Sequence, residues 1–227
     1  DSILYFADCM KNQDMEGAAL SMAAQSVARY FNTPLYLSRT KAITPTMPNR
    51  FPGNAPQYLS LNTQINRANN MLSVQGFISS LALPDMADAQ RYGMIPATEE
   101  GLLTISPDLS LTLDAYADRF APANFAGLEL KALYENIHPT MKEDSFQQNY
   151  AVYGAQVGRE YLAVYALDGQ TFRHGYTVVK YPEGWQILRL NAPLSGTPAM
   201  GSAEKIDQEA LDKLDADTTY TKVYPEG

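Results

Sequence analysis

The chain has 227 residues, 45% hydrophobic and 19% charged, with 17 Lys and Arg against 25 Asp and Glu for a formal net charge of −8. Enough apolar side chains are present to bury a core, which excludes a disordered chain, and no apolar run reaches the ~18 residues of a membrane span. No basic run supplies the phosphate-neutralising patch that nucleic acid or an anionic membrane surface requires, so neither is an expected partner.

Residues 2–11 place Ile3, Phe6, Ala7 and Met10 at helical spacing, with Ser2 able to cap the start. Cys9, the one cysteine, lies inside this stretch and reads as a small buried hydrophobe; no internal disulfide or zinc cluster can form. Asp14 can cap a second helix that runs through Ala18, Met22 and Gln25-Ser26 to about Tyr30. Over 32–58, Pro34, Pro45, Pro48, Pro52 and Pro56 forbid a long helix and discourage a central strand. This excursion is a candidate lid whose Met47 and Phe51 could pack back onto the body. Leu61, Ile65, Ala68 and Leu72, then Ile78 and Ala82, trace one face of a long helix, with Asn62, Asn66, Asn69 and Asn70 largely off it. Asp85, Asp88, Glu99 and Glu100 fall in segments that read as solvated. Ser106-Pro107-Asp108 then starts a helix with Leu109, Leu113, Tyr116 and Phe120 on one face, stopped by Pro122.

The period then changes. Leu128, Leu130, Ala132 and Tyr134 alternate as in a strand, Pro139 closes it, and a short helix is expected around 145–155. Three runs at 160–167, 171–181 and 185–191, separated by Asp168-Gly169 and Pro182-Glu183-Gly184, form a β-meander. A type I′ turn at Asp-Gly pairs Leu167 with Gln170, Tyr165 with Phe172, Ala163 with His174 and Tyr161 with Tyr176. One face then carries Tyr161, Tyr165, Phe172, His174, Tyr176 and Val178. A three-residue second loop adds Leu188 and Leu190 to that face; a two-residue loop adds Ile187 and Arg189. Residues 204–214 form an acidic helix followed by a polar tail, both peripheral.

His174 is the sole titratable group on an otherwise apolar face, and Tyr161, Tyr165 and Tyr176 beside it make the candidate ligand-binding set. That face carries no carboxylate, because Glu160 points the other way. His174 with His138 makes no metal site without paired carboxylates, and Arg173 and Arg189 are read as laying their stems over apolar surface. No dinucleotide fingerprint, phosphate loop, nucleophile elbow or HExxH occurs, so neither cofactor nor metal is expected.

The N-terminal helix, the phrase Met10-Lys11-Asn12-Gln13-Asp14-Met15-Glu16-Gly17-Ala18, and a curved meander ending Trp185-Gln186-Ile187-Leu188 resemble the nuclear transport factor 2-like superfamily, also called SnoaL-like or cystatin-like. Tyr153-Gly154-Ala155, Tyr161 to Leu167, Gly169, Tyr176 to Tyr181 and Gly184-Trp185 look like extracytoplasmic lipoprotein domains of Gram-positive bacteria. The resemblance covers roughly residues 1–30 and 128–195. It implies an α+β cone in which a curved antiparallel sheet wraps helices. Residues 1–200 would be one domain with an insertion at about 32–126, and 201–227 an acidic helix and tail. It also implies location outside the cytoplasm, secreted or lipid-anchored. Fold does not choose a function. Without a catalytic set, the sequence favours a non-catalytic module that binds a small molecule or a protein. The alternatives are a SnoaL-like enzyme, with His174 as acid–base group and Tyr161 or Tyr176 as oxyanion donors, and an assembly module in which a sheet face forms a homodimer.

Overall fold

The computed structural model describes residues 1–44, 47–84 and 117–225. Helix α1 (Ser2–Lys11) buries Ile3, Phe6, Ala7, Cys9 and Met10, with Asp1 rather than Ser2 at its cap position. Asp14 opens α2 (Met15–Leu20) by accepting a 2.8 Å hydrogen bond from Gly17 N. The single helix expected from there to Tyr30 is broken in two. Met22 bridges to Ile187, and Ala23 N donates to the Ile187 carbonyl at 2.8 Å, so the backbone leaves helical pairing to meet the sheet. It restarts as α3 (Ala24–Tyr30).

The proline-rich excursion contains an unexpected short helix, α4 (Thr33–Thr40). Asn32 Oδ1 accepts from Leu35 N at 3.0 Å, and Pro34 sits in the first turn, where its missing N–H costs nothing. Met47 packs inward as expected, whereas Phe51 stays partly exposed and stacks on Tyr58, with ring centroids 5.9 Å apart.

Helix α5 (Pro56–Ala82) corrects the sequence reading of its faces. Leu61 and Leu72 are 40% and 59% exposed, while Asn62 is fully buried and Asn66 nearly so. Asn62 clamps the excursion by accepting from Phe51 N at 3.2 Å and donating to Phe51 O at 2.9 Å. Asn66 Nδ2 reaches the Ala24 carbonyl at 3.4 Å, and the neighbouring Asn49 donates to Ala28 O at 2.8 Å. Amides that satisfy loop and helix-end carbonyls outweigh a leucine stripe here, because a buried carbonyl left unpaired costs more than an exposed leucine. The far half of α5 does bury apolar groups: Val74, Phe77 and Leu81.

The strands are β1 (Glu129–Asn136), β2 (Val157–Leu167), β3 (Gln170–Tyr181), β4 (Gly184–Arg189), β5 (Glu204–Ile206) and β6 (Tyr220–Tyr224), with α6 (Asp144–Ala151) and α7 (Gln208–Ala216) between them. They form one antiparallel sheet in the order β4-β3-β2-β1-β6, with β5 paired to β3. Positive φ at both Asp168 (48°) and Gly169 (73°) makes the expected I′ turn, and the β2–β3 register is the expected one. At the second hairpin Tyr181 pairs with Gly184 across a two-residue loop. A bulge at Leu188 then resets the pairing so that Arg189 faces Thr177. Ile187 and Leu190 both join the inner core, while Leu188 and Arg189 do not.

Residues 201–227 are less peripheral than expected. The acidic helix exists as α7, but its flanks are β5 and β6, which extend the sheet on β3 and on β1. Their short, polar, partly exposed runs carry little strand signal.

The chain is therefore α+β, with N-terminal helices packed on a curved six-stranded antiparallel sheet. The inner face of the sheet meets Phe6, Met10 and Phe77 through Tyr165, Phe172 and Tyr176. The outer face is covered as well, by α3 and α6 over Val179 and Tyr181, and by Leu214 of α7 over Tyr134, Leu162 and Val164. The expected helix start at 106, Asp85, Asp88, Glu99 and Glu100 lie outside the described residues; 117–119 are helical ahead of Pro122. Among the described residues no helix is long and apolar enough to cross a membrane.

Candidate functional site

Three of the four residues singled out on the inner sheet face meet. The hydroxyls of Tyr165 and Tyr176 are 2.6 Å apart, and the His174 ring lies with its centroid 4.6 Å from that of Tyr176 and 4.5 Å from that of Phe77. All three side chains are closed off from solvent. His174 Nε2 lies 2.9 Å from the Gly201 carbonyl, so it carries the proton and donates it, while Nδ1 is buried without a partner. Burial pushes this imidazole down to about 3 and both phenols up, which leaves all three neutral across the physiological range. Among the described residues no carboxylate bonds to them. Tyr161 is directly opposite Tyr176 but only partly buried, and its hydroxyl engages the Arg159–Glu135 ion pair.

A second constellation lies on the outer face. Gln147 of α6 pairs its side-chain amide with both main-chain groups of Gly158 in β2, which sets the helix against the strand. The Tyr150 ring then rests directly on Gly158: a Cβ there would meet Tyr150 Cδ2 at 2.2 Å, so only glycine admits this approach. Two residues along, Glu160 projects to the same outer face opposite Thr177. It is the one fully buried carboxylate among the described residues. Its oxygens accept from Leu194 N at 3.0 and 3.3 Å and from Ser195 N, holding the helical turn Pro193–Ser195. Burial nonetheless pushes its carboxyl up to about 7, with those N–H groups and the Arg189 charge opposing.

Glu160, Tyr150 and Thr177 line a cavity of about 350 Å³ whose walls include Tyr36 and Phe146. The Tyr150 ring is buried, and its hydroxyl has no hydrogen-bond partner among the described residues; burial first, then the Glu160 charge, pushes the phenol up, so it stays a donor. Two guanidiniums stand at the rim. Arg39 donates to Asn149 Oδ1 at 2.6 Å, and Arg189 donates to the Tyr153 hydroxyl and lies 5.0 Å from that ring's centroid. Neither forms an ion pair among the described residues. The cavity thus offers aromatic faces, a fixed hydroxyl donor, and a carboxyl that donates when protonated and accepts when ionised.

The other candidates of the sequence reading are accounted for locally. Arg173 pairs with Glu204 at 2.5 Å, and His138 Nδ1 accepts from Thr140 N at 3.2 Å to cap a turn. Among the described residues no group of three or more His, Cys, Asp or Glu side chains is placed to hold a metal ion. Sequence reasoning turned Glu160 away from the candidate face and gave it no role. The available signal was an ionisable residue inside a strand of otherwise apolar character, but its meaning depends on the outer face being covered.

No family model matches the sequence, and no curated protein matches it. Among solved structures the chain is similar to a cystatin-like protein from Ruminococcus gnavus, at 15% identity and a TM-score of 0.50. The match covers 96% of this chain and 42% of that one, so this chain spans less than half the length of its structural neighbour. What the two share is the fold: the described chain has a cystatin-like α+β architecture.

Proposed function

We propose that this chain is a non-catalytic binding module whose ligand, a small hydroxyl-rich molecule such as a sugar, occupies the cavity over Glu160. The observation that carries the reading is a fully buried carboxyl with a raised pKa beside the unpartnered hydroxyl of the buried Tyr150 ring in an aromatic-walled cavity. Aromatic rings take the apolar face of a sugar ring, and Tyr150 and Asn149 supply donors and acceptors for its hydroxyls. Binding is favoured over catalysis because both oxygens of Glu160 are already engaged by backbone N–H groups, which fixes the carboxyl in place rather than freeing it to shuttle protons.

Saturation-transfer NMR with D-glucose, D-galactose and N-acetyl-D-glucosamine at millimolar concentration tests this. Saturable transfer to at least one sugar, lost in Tyr150→Phe, is expected. No transfer to any of the three retires the reading. The same proposal places the module outside the bacterial cytoplasm, on the resemblance to extracytoplasmic lipoprotein domains. Cell fractionation with an antibody to the chain checks that part, and recovery in the cytosolic fraction alone refutes it.

A further inference from the structure

We propose that the cleft between α3, α5 and β4 is a second binding site and that it takes a small organic carboxylate with an apolar body. The cleft has a volume of about 330 Å³ and is separate from the cavity over Glu160, with Arg189 and Tyr153 lining both. One wall is a run of side-chain donors on α5: Asn66, Asn69, Asn70 and Ser73. The lining also includes Arg189 of β4, with Met22, Val27 and Leu188.

Charge and hydrogen bonding both point to an anion. No Asp or Glu lines this cleft, although acids outnumber bases 25 to 17 in the chain. Asn70 Nδ2 is buried with no partner, an orphan donor of a kind that folded proteins rarely leave unpaired. The two bonds made by Asn66 Nδ2, to Ala24 O at 3.4 Å and Asn49 Oδ1 at 3.5 Å, are both long. Arg189 forms no ion pair among the described residues, although its charge reaches Glu160, and its guanidinium is held by the hydroxyl and ring of Tyr153, which an oxyanion outcompetes because a charge-assisted bond is the stronger one. A planar carboxylate matches the guanidinium fork and leaves a second edge for the amide. The apolar part of the lining, Pro48 with the edges of the buried Met22, Val27 and Leu188, gives an organic body surface to pack on that an inorganic anion does not use.

The test uses the full ¹⁵N-labelled chain titrated with phenylacetate, with its neutral analogue 2-phenylethanol, and with inorganic phosphate, reading side-chain amide and guanidinium resonances. Phenylacetate is expected to shift Asn66, Asn70 and Arg189 saturably, with 2-phenylethanol and phosphate each weaker by about tenfold or more. Asn70→Asp, equal in size but negatively charged, is expected to weaken phenylacetate by about tenfold or more, and Asn70→Ala, which removes the donor without adding charge, by less. Retained chemical-shift dispersion reports that each variant is folded. Equal binding of 2-phenylethanol, binding of phosphate alone, shifts confined to the Glu160 cavity, or unchanged affinity in folded Asn70→Asp overturns the proposal.

Discussion

Gln147 and Gly158 exchange two hydrogen bonds: the side-chain Nε2 donates to the Gly158 carbonyl at 3.0 Å, and Oε1 accepts from its N–H at 2.9 Å. Gly158 lies beyond the last pair of β1 with β2, Glu135 with Tyr161, so the amide occupies the place of a missing neighbouring strand. Gln147→Ala leaves a buried donor and acceptor unpaired and should cost about 1–3 kcal/mol in urea unfolding. Because the same contact seats Tyr150 over the Glu160 cavity, saturation transfer to a bound sugar should weaken in parallel. Unchanged stability would mean that α6 is held by its apolar contacts alone.

The carboxyl of Glu160 titrates near 7 in the folded chain against an ordinary value of 4.5. Folding therefore favours its protonated form. The associated stability is complete below the ordinary value and is lost as pH rises through about 7. Glu160→Gln keeps the shape and an acceptor for Leu194 N without the charge. The melting temperature of wild type should fall relative to that of Glu160→Gln between pH 5 and 8, measured by calorimetry across that range. Parallel curves would show that the carboxyl is better hydrated than its burial implies.

His174 has the opposite sign. Its imidazole is pushed down to about 3 by burial, so the folded chain resists a proton that the unfolded chain takes up near 6.5. The stability from keeping it neutral is present above 6.5 and lost as pH falls toward 3, at about 1.4 kcal/mol per pH unit for one proton. His174→Gln retains a donor for the Gly201 carbonyl and does not titrate. The difference between the wild-type and variant slopes, from urea unfolding at several pH values, should approach one proton within that window. A difference near zero would show water reaching the ring.

Phe77 is fully buried and touches both halves of the core, with its ring centroid 5.9 Å from Phe6, 5.4 Å from Tyr165 and 4.5 Å from His174. Phe77→Ala should cost about 3–5 kcal/mol in urea unfolding, the range for emptying a large aromatic site that cannot collapse. A loss below about 1 kcal/mol would mean that α5 shifts to refill the space.

The sheet was more legible in the sequence than the helical half. Asp168-Gly169 carries its own turn geometry, and once that turn is set, period-two alternation orders Tyr161, Tyr165, His174 and Tyr176 without further information. The second hairpin stayed open because a bulge at Leu188 mixes the outcomes of two loop lengths, and a bulge leaves no composition signal. On α5 the periodicity of Leu61, Ile65, Ala68 and Leu72 pointed to the wrong face. What decides the orientation is where Asn62 and Asn66 find carbonyls, and those carbonyls belong to Phe51 and Ala24, distant in sequence. The cavity over Glu160 was hidden for a related reason: a strand residue has a site only when something covers its face, and α6 arrives there through Gln147.

Arg189 and Tyr153 border the Asn70 cleft on one side and the Glu160 cavity on the other. A single guanidinium cannot point its fork both ways, so an anion that draws it toward Asn70 removes from Glu160 the nearby positive charge that opposes the rise of its pKa. On the two binding proposals, the compartments would be linked thermodynamically through Arg189. Whatever factor a carboxylate in one imposes on the affinity of the other, the second occupant returns in equal measure, and the protonation of Glu160 shifts with both. With both sites binding as proposed, one side chain would make the chain a comparator of two ligands rather than a passive receptor.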